Sequence, residues 1–126
     1  DIDFGFEVDE PLVSHPQAAL DDASRAIGAA VAARVENGAT LQLGIGGVPD
    51  AVLHGLTGRR GLKIWSEMFS DGVLALERLG CMDPDTPLTA SFLFGSDDLY
   101  QWVDSNPRVL LLRSETTNDP SPRIDG

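Results

Sequence analysis

Two stretches of this chain carry residues that could do chemistry. One is Gly44-Ile45-Gly46-Gly47; the other is Ser66-Glu67-Met68-Phe69-Ser70-Asp71-Gly72. Glycine lets a backbone come close to a ligand and reach φ > 0. A glycine turn that feeds a helix also offers free N–H groups and the positive end of the helix dipole. Such a turn can hold a phosphate, a carboxylate or an oxyanion, although a tight strand-to-helix turn without a ligand accounts for the same residues. Glu67 supplies a carboxylate after a strand containing Trp65 and before a helix cap. That position predicts partial desolvation and a view of the glycine turn; the plainer reading is a surface glutamate in a loop. Asp71 has its own explanation as a capping or first-turn residue.

Other candidates compete. Gly44, Gly46 and an acidic residue at the end of the next strand imitate a dinucleotide-binding fingerprint, but Pro49 stands where that pattern needs Gly or Ala. Cys81, His15 and His54 show no metal-ligand spacing, so no metal site is expected. Cys81 is the only cysteine, which excludes an internal disulfide, and it reads as a half-buried structural thiol. Arg59, Arg60 and Lys63 fall at the end of the sheet away from both stretches and read as a solvated patch. His54 and Trp102 read as surface or packing residues.

The elements that must position these residues follow from periodicity. Residues 1–16 are acidic, contain Pro11 and read as an extended lead-in or linker. From Gln17 to Glu36, Leu20, Ala23, Ile27, Ala30, Val31 and Val35 recur at helical steps. Asn37-Gly38 supplies a stop. Strands are expected at 40–43, 62–65, 88–94 and 109–112. Between them lie helices near Pro49–Leu56, Gly72–Leu79 and Asp97–Asp104. Residues 114–126 are polar and Pro-rich. Alternation of this kind predicts an α/β fold, a mostly parallel sheet with flanking helices over residues 17–126. A four-strand sheet would leave apolar edges open, so the domain is expected to be incomplete and part of a longer protein.

Bulk properties narrow the function. The 126 residues are 42% hydrophobic and 23% charged, values of a globular chain. The net charge of −11 argues against nucleic acid as a partner. No apolar run approaches the roughly 20 residues of a membrane span, and no secretory leader is visible, so a cytoplasmic location is expected.

Several segments together resemble a known family. Leu41 to Val52, containing the glycine turn, is similar to the glycine motif of family I coenzyme A-transferases of the acetyl-CoA hydrolase/transferase group, which includes 4-hydroxybutyrate CoA-transferase. Ser66 to Val73 resembles their active-site stretch. Ser91-Phe92-Leu93-Phe94-Gly95-Ser96, Asn106-Pro107 and Thr117-Asn118-Asp119-Pro120 follow in the family's order, and Val8 to Leu12 is similar as well. The ending, Ser121 to Gly126, departs from the pattern. The resemblance implies the first part of the C-terminal of two α/β domains.

By that resemblance Glu67 is the covalent nucleophile. The backbone N–H near Ile45 is one half of an oxyanion hole, with Gly44, Gly46 and Gly47 shaping the turn, and Asn118 is a polar residue near the thioester. The implied reaction moves CoA between an acyl-CoA and a carboxylic acid through a glutamyl-CoA thioester, with no bound cofactor and no metal. The full-length protein is expected to be a homo-oligomer, and this stretch alone to be inactive. Two alternatives stay open: an acyl-CoA hydrolase, and a non-catalytic nucleotide-binding module of Rossmann type.

Overall fold

The computed structural model describes residues 2–17 and 19–121; of the departing segment, all beyond Ser121 lies outside the described residues. The first helix, α1 (Asp22–Ala32), starts five residues later than periodicity suggests. Asp21 is the reason: its carboxylate accepts the Ser24 N–H at 2.7 Å and fixes the N-terminus there. The far end stops short of Glu36, tightening into i→i+3 turns (Arg34 N–H to Val31 O at 2.9 Å, Val35 N–H to Ala32 O at 3.1 Å) that Arg59 caps, Nη2 donating to Ala32 O at 3.2 Å and Nε to Val35 O at 2.6 Å. Arg59 is therefore a partly buried residue that caps the end of α1, not part of a solvated patch.

The chain then alternates. Strand β1 (Thr40–Leu41) leads through the glycine turn to α2 (Gly47–His54), and β2 (Lys63–Ile64) follows. A short β3 (Met68–Phe69) precedes α3 (Asp71–Arg78). Strands β4 (Leu88–Ala90) and β5 (Phe92–Leu93) lead to α4 (Asp97–Val103), β6 (Val109–Leu111) and a single-turn α5 (Ser114–Thr117). Among the described residues every pairing is parallel. Thr40 faces Lys63, and Leu88 faces Val109. A bridge from Trp65 to Thr89 joins the two pairs in the spatial order β1-β2-β4-β6. The expected α/β architecture is present.

The strand expected at 88–94 is broken. Met68 pairs with Phe92 and Phe69 with Leu93, so β2 continues into β3 and β4 into β5 across a shared kink. The register set by Trp65 and Thr89 carries through it. Sequence periodicity does not reveal β3, because two residues are too few to show alternation.

The core gathers Leu53, Leu56, Leu62, Ile64, Phe69, Val73, Leu76, Leu88 and Leu99. Helices α1 and α2 meet through small residues: a Cβ built on Gly28 would stand 2.4 Å from the Ala51 Cβ. Cys81 belongs to this core and is fully rather than half buried; it carries one edge of the Leu62–Met82 bridge. Arg108 ties α3 to the approach of β4, donating from Nε and Nη2 to Glu77 at 2.7 and 3.0 Å and reaching the carbonyls of Asp83 and Thr86. Trp102 packs against the core, whereas His54 is exposed.

Part of the sheet stays uncovered. Thr40, Lys63, Trp65, Pro87 and Leu110 line an open hollow of about 550 Å³. Leu111 on β6 is 51% exposed. Purely parallel sheets are normally covered on both faces. Among the described residues, no helix is long and apolar enough to cross a membrane.

Candidate active site

The carboxyl edge of a parallel sheet is where ligands bind in open α/β folds. Here β1 and β2 end side by side on that edge. Trp65 N–H donates to Leu41 O at 3.1 Å, the last ladder bond of the pair. Beyond it the Ser66 hydroxyl takes over, accepting the Leu43 N–H at 2.9 Å and donating to Leu43 O at 3.2 Å. These bonds hold the entry of the glycine turn against the residue that precedes Glu67.

The turn adopts the shape its glycines permit. Gly46 has φ +125° and ψ −179°, a region essentially reserved for glycine. It is the N-cap of α2, with Gly47 and Val48 opening the helix and Pro49 inside the first turn, where a missing N–H costs nothing. The first N–H groups of α2 therefore have no partners inside the helix. Ile45, Gly46 and Gly47 line a cleft of about 200 Å³, closed by Met68, Ser70 and Asp71 opposite and by His15 and Phe94 at the rim. The rings of His15 and Phe94 stack at 4.1 Å, and His15 N–H donates to Gly95 O at 2.8 Å. The end of the lead-in is thus folded onto the cleft.

Glu67 sits in the kink between β2 and β3. Its carbonyl accepts two successive amides, Ser91 N–H at 2.8 Å and Phe92 N–H at 3.1 Å, which fixes its backbone. Its side chain, however, is exposed, contrary to the partial desolvation expected from sequence. The kink is where the chain leaves the ladder: Glu67 sits at a bend between the buried Ser66 and the buried pair Met68 and Phe69, and its side chain stands outside the packed strands. Glu67 does not line the glycine-turn cleft; it stands beside it on the neighbouring strand end.

Asn118 arrives from another direction. It ends α5, whose last residue Thr117 is fully buried. Thr117 O accepts the Trp65 indole N–H at 3.1 Å, and Thr117 Oγ1 meets Ser91 Oγ at 2.7 Å. Thr117 thereby grips residues on both strands next to the Glu67 kink and leaves Asn118 exposed one position on. The structure therefore gathers the sequence candidates on one edge: Ile45, Gly46 and Gly47 in the cleft, Gly44 and Glu67 on adjacent strand ends, and Asn118 on the short helix bonded to those strands.

The sequence marks Asp71 as a capping residue and does not mark Asp50, and neither is signalled as part of the cleft. Asp50 and Asp71 both line it. Burial pushes the Asp50 carboxyl above its ordinary value; His54 opposes the shift, and the Asp71 charge adds to it. Asp71 does more than open α3, since Oδ2 accepts the Ser96 N–H at 3.0 Å and Oδ1 the Ser96 hydroxyl. Gly95 leaves room for this contact, because a Cβ there would fall 2.5 Å from Asp71 Oδ2. An aspartate 25 residues from its partner gives no local signal.

A chain with this edge and this order of segments is homologous to the coenzyme A-transferases. It is 40% identical, over 95% of its length, to the 4-hydroxybutyrate coenzyme A transferase of Clostridium kluyveri, and covers 29% of that protein. It is 32% identical, over 95% of its length, to the succinyl-CoA:cyclohexane-1-carboxylate CoA transferase of Geobacter metallireducens, again covering 29%. Among solved structures, the 4-hydroxybutyrate CoA-transferase of Porphyromonas gingivalis superposes with a TM-score of 0.81 at 38% identity, over 90% of this chain and 30% of its own. RipA of Yersinia pestis gives 0.82 at 25% identity, over 89% and 27%. No protein-family model matches the chain. The chain thus spans under a third of the length of these relatives.

Proposed function

We propose that this chain carries the nucleophile and half of the oxyanion hole of a CoA-transferase acting on an acyl-CoA and a small carboxylic acid. The observation that supports it most is the reciprocal pair of hydrogen bonds between the Ser66 hydroxyl and the Leu43 backbone, which set the Glu67 strand end beside the glycine turn. In this reading the Glu67 carboxylate attacks the thioester carbonyl, expels CoA thiolate and forms an acyl-glutamyl anhydride. The thiolate attacks the glutamyl carbonyl, releasing the first carboxylate and leaving glutamyl-CoA. An acceptor carboxylate attacks that thioester, and the expelled thiolate then takes the new acyl group, regenerating Glu67.

Each step passes through a tetrahedral oxyanion. An N–H of the Ile45–Gly47 turn would stabilise it by about 3–4 kcal/mol, the range seen when one such donor is removed elsewhere. Asn118 would supply a further polar contact near the thioester. The exposed Glu67 needs drying for full nucleophilicity. Polypeptide outside this chain would provide that cover, so residues 1–126 alone should not turn over. The relatives bear transferase names, which favours transfer to an acid over transfer to water. The dinucleotide reading is disfavoured by Pro49 at the third fingerprint position.

The test is acyl exchange between acyl-CoA and a labelled acid in the full-length protein. Ping-pong kinetics that vanish in Glu67→Ala are expected. Normal exchange by that variant would remove the mechanism.

A further inference from the structure

Resting on the reading of Glu67 as nucleophile, we propose that Ser66 is a positioning residue that sets the distance between the nucleophile and the oxyanion turn. Ser66 is fully buried and lies one peptide bond from Glu67. Its hydroxyl holds both backbone groups of Leu43, one residue before Gly44. Between the Trp65–Leu41 ladder bond and the start of α2, the backbone passes through Gly44 and Gly46. Neither would bring a Cβ into close contact: the nearest atom to one on Gly44 is 3.9 Å away, and Gly46 has nothing within 4 Å. Leu43 itself packs against the core and Gly47 lies against α1, but the space around Gly44 and Gly46 between them is open, and the serine clasp fixes the backbone of the last residue before that open stretch.

The opposite side of Glu67 is fixed independently, since its carbonyl receives two amides from Ser91 and Phe92. The nucleophile is thus anchored to β4–β5, and beyond the Trp65–Leu41 ladder bond the Ser66 hydroxyl carries the tie between the two strand ends one step closer to the oxyanion turn. Removing that hydroxyl leaves the Leu43 N–H and C=O to find other partners, and an unmade bond to a partly buried backbone group is unfavourable enough to shift the open glycine stretch that follows. A shift of about 1 Å between reacting groups costs on the order of a hundredfold in rate. Substrate binding elsewhere would be untouched. Ser66 would therefore act on kcat and on the chemical half-reaction rather than on KM.

The experiment uses the full-length enzyme with Ser66→Ala, Ser66→Cys and Glu67→Ala. Steady-state exchange is measured together with the single-turnover rate of enzyme-bound thioester formation from acetyl-CoA. Ser66→Ala should lower kcat and the single-turnover rate together by roughly a hundredfold, with KM within about threefold of wild type. Ser66→Cys, similar in size with a weaker hydrogen-bonding group, should fall between. Wild-type rates in Ser66→Ala, a loss confined to KM, or a Cys variant no faster than the Ala variant would overturn the proposal. Glu67→Ala separates the two ideas. If it is dead while Ser66→Ala is unimpaired, only the role of Ser66 fails; if it turns over normally, the nucleophile assignment fails whatever Ser66 does.

Discussion

Replacing Gly46 by alanine isolates backbone conformation from packing. At φ +125° and ψ −179°, an L-residue is strained whatever surrounds it. No heavy atom lies within 4 Å of the built Cβ, so no clash contributes. The whole effect is then the cost of that backbone region, about 1–3 kcal/mol of stability. Gly44→Ala, two residues earlier, is the internal control. Its φ is ordinary, and its Cβ would make a normal contact with the Pro49 ring at 3.9 Å. There the substitution mainly restricts the unfolded chain, and a gain of about 0.4–1 kcal/mol is expected. Urea denaturation of the two variants beside wild type measures both. The predicted gap between them is about 1.5–4 kcal/mol, with Gly46→Ala the less stable. Equal midpoints, or Gly44→Ala as the worse of the pair, would mean that the turn does not hold the conformation on which the oxyanion argument depends.

Two further substitutions test the surroundings. Gly28→Ala gains about 1 kcal/mol of helix propensity but forces a Cβ to within 2.4 Å of Ala51 Cβ and 2.6 Å of its backbone carbon; the overlap should win, and thermal unfolding should show a lower Tm. Asp50→Asn removes a carboxylate whose charged form is disfavoured by burial. An acid with a raised folded-state pKa carries no penalty below its unfolded value and the full penalty above its folded value. The variant should therefore be more stable than wild type at neutral pH, and the difference should close as pH falls through the carboxylate range. A difference that is constant with pH would contradict the assignment.

The order of elements was legible because each apolar segment is bounded by glycine, proline or a capping residue. The two candidate stretches could be placed on strand ends for the same reason. What stayed hidden involves partners far apart in sequence. The register-keeping kink depends on Ser66, Glu67, Ser91 and Phe92 acting together, and no period in either strand marks it. Arg59 and Arg108 look like surface charges until their carbonyl and carboxylate partners, more than 20 residues away, are in place. The single turn of α5 lies in a polar segment without a hydrophobic stripe, and the buried Thr117 contacts hold it there. The exposure of Glu67 belongs to the bend between β2 and β3, which becomes visible once Met68 and Phe69 are known to pair with Phe92 and Leu93.

The central claim is that Glu67 becomes covalently joined to CoA. Full-length protein incubated with acyl-CoA and no acceptor, then treated with borohydride, should be reduced at one glutamate. Mass spectrometry should place that change on the peptide containing Trp65 to Asp71, and hydroxylamine before reduction should abolish it. The account predicts modification of Glu67 and none in Glu67→Ala. A label on Asp71 or Cys81, or an unchanged label in the Glu67→Ala protein, would contradict it.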